Sequence, residues 1–281
     1  MKNIYWTKDE VTHLKTLFPD NNDELVANIL NRPQSGVQGK AVKLGLHKSK
    51  DYLKNRYKKL GIMNGQLRAL SVDHNYFANI DNQNKAYWLG FLYADGSVMN
   101  INHWKIISVR VNINDEEIIQ KFKKDINSDH KISRACSSGK YSVGIKFHST
   151  QMFDDLGQYG MIPNKTYIDQ EPKNIPEQYL SHFIRGLFDG DGCITCANNC
   201  RRTSNICVCG VPKTCEWLKN ILHSNLGVGG GVYKQANTTA VKIYRLSGVN
   251  MVHKFAEWIY KDSNNLFLQR KYNKFKELGL I

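Results

Sequence analysis

Two stretches of this chain decide its fold: residues 86–98, AYWLGFLYADGSV, and residues 182–194, HFIRGLFDGDGCI. They begin 96 residues apart, and each contains an interior glycine, Gly90 or Gly186, followed five residues later by an Asp-Gly pair. Apolar residues occupy matching positions around these glycines. A repeat of this length with constant internal spacing indicates two copies of one structural unit. Each copy is predicted to form an apolar helix that ends in a carboxylate and a glycine.

The aspartates at the ends of these predicted helices, Asp95 and Asp191, are unusual. The C-terminal end of a helix carries about half a negative charge, so a carboxylate there costs roughly 0.3–1 kcal/mol. We expect the glycines that follow, Gly96 and Gly192, to end the helices in the left-handed conformation. One helix that ends in Asp-Gly is an ordinary cap and turn. Two matched copies favour a functional interpretation instead.

The interior glycines, Gly90 and Gly186, predict how the two helices meet. A glycine inside a helix costs about 1 kcal/mol relative to alanine, and close packing of two backbones explains why that cost is tolerated. If the two helices pack on each other, both aspartates lie at the same end of the pair. Two converging carboxylates are suited to a hard divalent cation, which prefers oxygen ligands.

The segments GFLYADG and GLFDGDG resemble the namesake motif of the LAGLIDADG homing endonucleases, and the resemblance covers residues 76–281. The earlier acidic position of the motif is Tyr93 in the first copy and Asp189 in the second. The resemblance implies an α+β fold with two pseudo-symmetric LAGLIDADG half-domains, residues 76–172 and 173–281. Each half-domain would carry an antiparallel DNA-binding sheet.

The residue pattern between and after the motifs agrees with two α+β halves, because apolar strand-like runs and helical stripes recur in one order. In the first half, strands are expected at residues 106–113, 130–135 and 141–147, with helices at 116–125 and 150–159. In the second half, strands are expected at residues 194–197, 205–210, 231–235 and 240–246, with helices at 213–226 and 250–260.

The chain is strongly basic. Its 39 Lys and Arg residues exceed its 25 Asp and Glu residues, which gives a formal net charge of +14 over 281 residues. Such an excess indicates a polyanionic partner, with nucleic acid as the first candidate. No apolar run approaches the roughly 18 residues that a membrane span needs, and the N-terminus does not resemble a signal peptide. A cytoplasmic monomer without a membrane partner is therefore expected.

Residues 1–50 are predicted to form three short helices. Thr7 with Glu10 and Ser35 with Gln38 match the capping-box pattern, and Gly45 is expected to end the third helix. The basic third helix resembles those of Myb-like and helix-turn-helix modules, which read the major groove. The candidate DNA contacts there are Gln38, Lys40 and Lys43. A purely structural three-helix cap is the alternative.

Residues 51–75 are predicted to be a basic linker that contains one helical piece. Several of the lysines and arginines between residues 47 and 75 are candidates for tracking DNA phosphates, and a merely solvated linker is the alternative. Gly61 and Gly65 are expected to interrupt any helix in this segment.

The resemblance also implies the residues of the active site. Asp95 and Asp191 would hold Mg²⁺, in two or more ions, beneath the scissile phosphates. Lys165 and Lys271 would be catalytic basic residues near those phosphates. Eight cations in or beside the strands are candidate DNA contacts: Arg110, Arg134, Lys146, Arg201, Arg202, Lys234, Lys242 and Arg245.

These features together predict a magnesium-dependent homing endonuclease that cuts both strands of DNA at a long, non-palindromic site. We expect it to be encoded within an intron or by a free-standing gene. A non-cleaving RNA maturase or DNA-binding regulator on the same fold is the first alternative.

The cysteines support a second alternative, a zinc-dependent interaction protein. The chain has seven cysteines, and an odd number argues against a framework of disulfides. Cys207 and Cys209 fall in a strand-like run, where they could equally face a core. The candidate zinc ligands are Cys193, Cys196, Cys200, Cys207 and Cys209.

Overall fold

The computed structural model describes residues 5–68, 70–197, 201–235 and 240–281, without the side chains of residues 61–68. The chain separates into two compact units, Met1–Ala69 and Leu70–Ile281. Each unit has its own hydrophobic core. Within the described ranges, no helix is long and apolar enough to cross a membrane.

The first unit is helical. Its helices are α1 (Lys8–Leu17), α2 (Asp23–Ile29), α3 (Gln34–Lys43) and α4 (Lys50–Arg68). The capping box at the start of α1 is confirmed, because the Thr7 amide donates to Glu10 Oε2 at 2.8 Å and the Glu10 amide donates to Thr7 Oγ1 at 3.2 Å. Gly45 follows α3 in the left-handed conformation, with φ of 66°, as predicted.

Two predictions for this unit are wrong. Ser35 does not cap α3, because the helix begins one residue earlier and Pro33 precedes it with the fixed φ that proline supplies. Gly61 and Gly65 do not interrupt α4, which runs through both as one helix. Two glycines cost about 1 kcal/mol each, whereas most of the other residues of α4 are lysine, arginine, leucine and similar good helix formers.

The second unit contains two four-stranded antiparallel sheets. In each sheet, the four strands of one half of the unit lie side by side in the order first, second, fourth and third as they occur along the chain. The first half contains α5 (Gln83–Asp95), β1 (Gly96–Ile101), β2 (Trp104–Asn112), α6 (Glu116–Asp125), β3 (Ser133–Ser137), β4 (Lys140–His148) and α7 (Thr150–Gln158). The second half contains α8 (Leu180–Asp191), β5 (Gly192–Thr195), β6 (Asn205–Gly210), α9 (Pro212–Leu226), β7 (Gly231–Lys234), β8 (Lys242–Ser247), α10 (Val249–Tyr260) and α11 (Gln269–Glu277).

The registers of the two sheets correspond residue by residue. The first strand of each sheet begins at the glycine of the motif, which lies opposite Val109 in one sheet and Val208 in the other. Lys146 and Arg245 therefore occupy equivalent positions. Each belongs to the row of paired residues that contains the residue directly after the motif glycine of its sheet. This repeated order confirms the predicted α+β fold with two pseudo-symmetric halves.

Each sheet has one covered face and one open face. Alternate residues of β2 and β4, such as Ile107, Val109 and Ile145, are buried against the helices. The intervening residues face away from the core and are mostly exposed or partly exposed. The open faces carry the positions at which a polyanionic ligand can be contacted.

Candidate active site and nucleic-acid interface

The motif helices α5 and α8 pack against each other with their backbones in contact. An added Cβ at Gly90 would lie 1.9 Å from the carbonyl oxygen of Phe183, and one at Gly186 would lie 2.0 Å from that of Tyr87. No side chain fits at either position, so both glycines are at the helix interface as predicted. The contact continues to the C-terminal end, where a Cβ on Gly190 would lie 2.3 Å from Ala94 Cβ.

The glycines that end the motifs do not adopt the predicted left-handed conformation. Gly96 has φ of −80° and Gly192 has φ of −92°, and each residue begins a strand. Their need for glycine is steric instead. A Cβ would lie 2.6 Å from Leu92 O at Gly96 and 2.5 Å from Phe188 O at Gly192, because the chain turns sharply from helix into strand there.

Asp95 and Asp191 are the last residues of α5 and α8. Burial of the carboxyl groups raises the pKa of both, and the neighbouring Asp95 charge helps to raise the pKa of Asp191 to about 6. An added Cβ on Gly190, the residue before Asp191, would lie 3.4 Å from Asp95 Oδ2, so the two aspartates are neighbours. Both residues are exposed to solvent, and an accessible site with two like charges is suited to a divalent cation.

Lys165 and Lys271 each donate to backbone carbonyl groups close in the chain to these carboxylates, although the carbonyl groups differ between the two halves. The Lys165 ammonium group donates to the carbonyl oxygens of Ala94, at 2.9 Å, and Gly96. The Lys271 ammonium group donates to those of Phe188, at 2.7 Å, and Asp189, at 2.6 Å. Each lysine therefore places a positive charge at the negative end of one motif helix. Burial lowers the pKa of both ammonium groups, that of Lys271 to about 8.

The two lysines lie in different kinds of secondary structure. Lys165 begins a short 3₁₀ turn after Asn164, whose φ of 57° is left-handed. Lys271 lies inside α11, two residues after its first residue. The second half carries this extra helix, which the first half does not match within the described residues.

A buried polar network behind α8 was not predicted. Asp189 is fully buried and accepts hydrogen bonds from the Tyr87 hydroxyl at 2.9 Å and the Leu268 amide at 2.8 Å. Arg185 is also fully buried and donates to the carbonyl oxygens of Leu266 and Ile259. These bonds hold the segment that leads into α11, and so they fix the position of Lys271.

The two motif positions that differ in sequence therefore differ in role. Asp189 anchors the chain before α11, whereas Tyr93 in the first copy lines a cavity of about 160 Å³. Lys165, Asp191, Cys209 and Thr214 also line this cavity. The signal that could have indicated the network is the presence of arginine and aspartate, four residues apart, within an otherwise apolar helix.

Three of the candidate DNA contacts lie on the open faces of the sheets. Arg110, Lys146 and Arg245 are exposed there, and the register places Lys146 opposite Ser108 and Arg245 opposite Cys207. The open-face positions of the eight described strands include no acidic residue. The charged side chains on the two open faces are thus all basic.

Three other candidates lie on the covered side of the sheets. Arg134 is opposite Val143 and donates from Nε to Glu116 at 3.1 Å, so it is engaged by α6. Lys234 and Lys242 face each other and share the side of Tyr244. Sequence alone did not distinguish the faces, because a strand alternates sides at every residue and the register depends on partners. Arg201 and Arg202 are exposed in a 3₁₀ turn before β6.

The candidates in the first unit also differ in availability. Lys43 is exposed, whereas Lys40 lies 6.0 Å from the centre of the Trp6 ring. The Gln38 amide donates to Asp23 at 2.8 Å. Lys48 forms an ion pair with Asp23 at 2.8 Å and donates to Phe18 O at 2.8 Å, so it is committed to the fold.

The cysteines do not form a metal centre within the described ranges. No three residues among the described His, Cys, Asp and Glu are arranged to hold a metal ion. Cys193, Cys207 and Cys209 are free thiols, and Cys200 lies outside the described residues. The zinc alternative has no support from these side chains.

Comparison with known proteins identifies the fold. The chain is similar to the meganuclease I-SmaMI bound to uncleavable DNA, with a TM-score of 0.50, 13% identity and coverage of 69% of this chain and 88% of that chain. It is also similar to the homing endonuclease I-WcaI bound to its DNA recognition sequence, with a TM-score of 0.49, 14% identity and coverage of 67% and 84%. The architecture is that of the LAGLIDADG homing endonucleases.

Two further comparisons are less specific. The structure described as "full-length DUF199/WhiA from Thermatoga maritima" gives a TM-score of 0.46 at 14% identity, covering 74% of this chain and 64% of that chain. A protein of Methanocaldococcus jannaschii, Uncharacterized protein MJ1054, is 27% identical over 183 residues, which are 63% of this chain. The match spans 20% of that relative. No protein-family profile matches the chain.

Proposed function

We propose that this protein is a site-specific endonuclease that cuts both strands of DNA with divalent metal ions held by Asp95 and Asp191. The observation that carries the proposal is the convergence of these carboxylates, from two equivalent helices, at the ends where the two sheets begin. One carboxylate comes from each half of the molecule. A pair of this kind can serve the two strands of a duplex.

The open faces of the sheets support DNA as the substrate. Lys146 and Arg245 hold equivalent positions, so each half offers a cation at the same register position relative to its carboxylate. Phosphate contacts from lysine and arginine supply much of the affinity of proteins for DNA. The absence of acidic side chains from the open faces of the described strands β1–β8 removes the main source of repulsion.

The carboxylates fit Mg²⁺ by their chemistry. Both are oxygen donors, and the repulsion that raises the pKa of Asp191 would be relieved by a bound cation. Phosphate oxygens of the DNA would complete the coordination, because two carboxylates alone do not enclose an ion. When bound, the metal would stabilise charge on the attacking and leaving oxygens.

The two lysines would contribute by position. Lys165 and Lys271 each lie within hydrogen-bond distance of the last carbonyl groups of a motif helix, close in the chain to the carboxylate that ends it. There they neutralise part of the helix dipole and hold the carboxylates in place. A positive charge at this point would also attract the scissile phosphates.

The first unit would add a separate DNA contact. Its exposed Lys43 lies in the last turn of α3, and this unit also carries basic residues along α4. We propose that it extends the target at one end, which agrees with a long, non-palindromic site. The unpaired module makes the molecule asymmetric although its second unit is repeated.

The test is cleavage of a randomised duplex library by the purified full chain in Mg²⁺, followed by sequencing of the cut ends. The proposal predicts that one sequence family is enriched and that both strands are cut at a fixed offset. Recovery of a bound sequence without cut ends would instead favour the DNA-binding regulator. Binding of structured RNA but not of duplex DNA would favour the maturase.

A further inference from the structure

The open face of the first sheet carries a group of apolar side chains at its outer end. Met99 lies opposite Ile106, and Ile106 lies opposite His148 on the next strand. At the tip of the hairpin, Ile101 and Trp104 face each other and are 49% and 61% exposed. We call Met99, Ile101, Trp104 and Ile106, together with the adjoining His148, the outer apolar patch.

The geometry of the patch is well defined. The ring of Trp104 meets that of His148 edge to face, with centroids 4.9 Å apart. The hairpin turn is closed by Asn102 and His103, both in the left-handed conformation. Large apolar side chains grouped on an exposed surface usually mark a site of interaction, because their exposure to water is unfavourable.

The second sheet provides an internal comparison. Its equivalent row consists of Thr195, Asn205 and Ser247, which lie opposite one another in the same register. All three are polar. The next row inward on the open face is similar in the two sheets, since it ends in a cation in both, Lys146 in one and Arg245 in the other. The outer rows of the two sheets therefore differ in polarity, although the rows next to them share a cation.

We propose that the outer apolar patch reads thymine methyl groups in the major groove, in the half-site that the first sheet contacts. This inference rests on the proposed function. The 5-methyl group of thymine is the one apolar feature on the major-groove edges of the four bases, and apolar side chains recognise it by contact. The polar row of the second sheet would read its half-site by hydrogen bonds instead.

The position of the patch predicts which base pairs it reads. Five residues separate Gly96, next to the site carboxylate, from Ile101 at the tip of the hairpin. At about 3.3 Å per residue the patch lies roughly 16 Å from the site. Base pairs are stacked about 3.4 Å apart, so the methyl groups would be about five base pairs from the cut.

The experiment uses the full chain and the target selected from the library. Each thymine is replaced in turn by deoxyuridine, which removes the methyl group and keeps the base pair, and the dissociation constant is measured by fluorescence anisotropy. To identify the half-site under the first sheet, phosphates of the target are ethylated. Those whose ethylation weakens binding of the wild-type protein but not of Lys146→Ala mark that half-site. We expect replacement there, about five base pairs from the cut, to weaken binding about fourfold per methyl group. Replacement at the equivalent distance from the cut in the other half-site, where the outer row is polar, should have no effect.

Two variants separate recognition from folding. The double variant Ile101→Thr with Trp104→Thr replaces the two exposed apolar side chains at the tip of the hairpin by polar ones, and it should bind targets with thymine or deoxyuridine about five base pairs from the cut equally. Tyr141→Ala is the matched control, because Tyr141 is also 61% exposed on the same sheet but lies on the opposite side, across from Cys136. This control should keep the full effect of the methyl group.

The outcomes distinguish this inference from the proposed function. A selected target without thymine at these positions would overturn the inference, as would an equal effect of deoxyuridine in both half-sites or its persistence in the double variant. Tight binding and cleavage in any of those cases would leave the proposed function standing. Failure to bind any duplex would overturn both.

Discussion

Individual residues explain how two carboxylates can end two adjacent helices. Asp95 and Asp191 are each placed where the helix dipole disfavours a negative charge. Lys165 and Lys271 donate to the carbonyl groups at the same helix ends and offset both the dipole and part of the repulsion. The lysines are therefore built into the fold of the site. Substitution of either lysine would change the positions of the carboxylates as well as the local charge.

His182 gives a residue-scale prediction about pH. Burial, aided by the neighbouring Arg185, lowers the pKa of His182 from 6.5 to about 4, and the ring nitrogen Nδ1 lies 2.7 Å from the guanidinium group. The folded state thus disfavours protonation. Stability should be lost as the pH falls from about 6.5 to about 4, by about 2–3 kcal/mol from this group.

The measurement compares the wild-type protein with His182→Asn, in which an amide oxygen can accept the same hydrogen bond but does not titrate. The free energy of unfolding of the wild type should fall relative to the variant between pH 6.5 and pH 4. A constant difference across this range would show that His182 is not held neutral by the fold.

Repeated spacing in the sequence predicted that Asp95 and Asp191 end two adjacent helices and that Gly90 and Gly186 lie between them. The roles of the carboxylates and of the two lysines stay predictions. Asp189 and Arg185 were not predicted as an anchor. Their partners are backbone groups of Leu268, Leu266 and Ile259, about 70 to 80 residues away. Distant backbone atoms leave no pattern of their own, so the arginine and aspartate four residues apart within α8 are the signal that could have indicated the anchor.

At the scale of elements, the contact between α5 and α8 depends on glycine. A Cβ at Gly186 would lie 2.0 Å from Tyr87 O and 2.6 Å from the Phe91 amide, so the helices would have to separate. We predict that Gly186→Ala destabilises the protein by about 3 kcal/mol or more, through strain in a close-packed core. Thermal or urea unfolding of the purified variant measures this.

Gly157 in α7 is the matched control for that prediction. It is also inside a helix, but an added Cβ would meet nothing within 4 Å. Gly157→Ala should be neutral or stabilise by up to about 1 kcal/mol, because alanine favours the helix. Equal effects of the two substitutions would mean that close contact does not explain Gly186.

The sheets give a second prediction at this scale. Lys146→Ala and Arg245→Ala should weaken DNA binding, and removal of one phosphate-binding cation should reduce the slope of log affinity against log salt by about 0.9. Arg134→Ala and Lys234→Ala remove the same charge from the covered side. Salt titration should give a smaller slope for Lys146→Ala and Arg245→Ala than for Arg134→Ala and Lys234→Ala. Equal slopes for all four variants would contradict the assignment of these side chains to the open and covered faces.

Most elements could be predicted from the sequence, but the first strand of the first half was missed. β1 begins directly after Asp95, in GSVMNI, where the polar Asn100 interrupts the apolar pattern. The equivalent strand β5 was expected. The repeat could have indicated β1 as the counterpart of β5, but its local composition concealed it. The local pattern also gave a wrong prediction at Gly96, which does not adopt the left-handed conformation. Glycine is required there because a side chain would clash with α5.

At the scale of the whole molecule, the chain joins a helical unit to a pseudo-symmetric pair of half-domains. We predict that removal of residues 1–69 leaves metal-dependent cleavage intact, since Leu70–Ile281 has its own core and contains both carboxylates. Affinity should fall, its salt dependence should flatten, and the DNase footprint should shorten at one end. An unchanged footprint and slope would show that the first unit does not contact DNA.

The pseudo-symmetry of the second unit also underlies the proposed function. Each half supplies one sheet, one lysine and one carboxylate, and the halves differ in their outer sheet residues and in the anchor before α11. Under the proposed function, one chain would contact two unlike half-sites and present one of two like carboxylates to each strand. The shared helix pair keeps those carboxylates together.

The most direct measurement of this claim is cleavage of the selected target, with each strand labelled at its own end, by the wild-type protein, Asp95→Asn and Asp191→Asn in Mg²⁺. Asparagine keeps the shape of the side chain and removes the charge that binds a metal ion. We predict that the wild type cuts both strands, that neither variant makes double-strand cuts, and that both variants bind the target within a few-fold of the wild type. Full magnesium-dependent cutting by either variant would contradict the account.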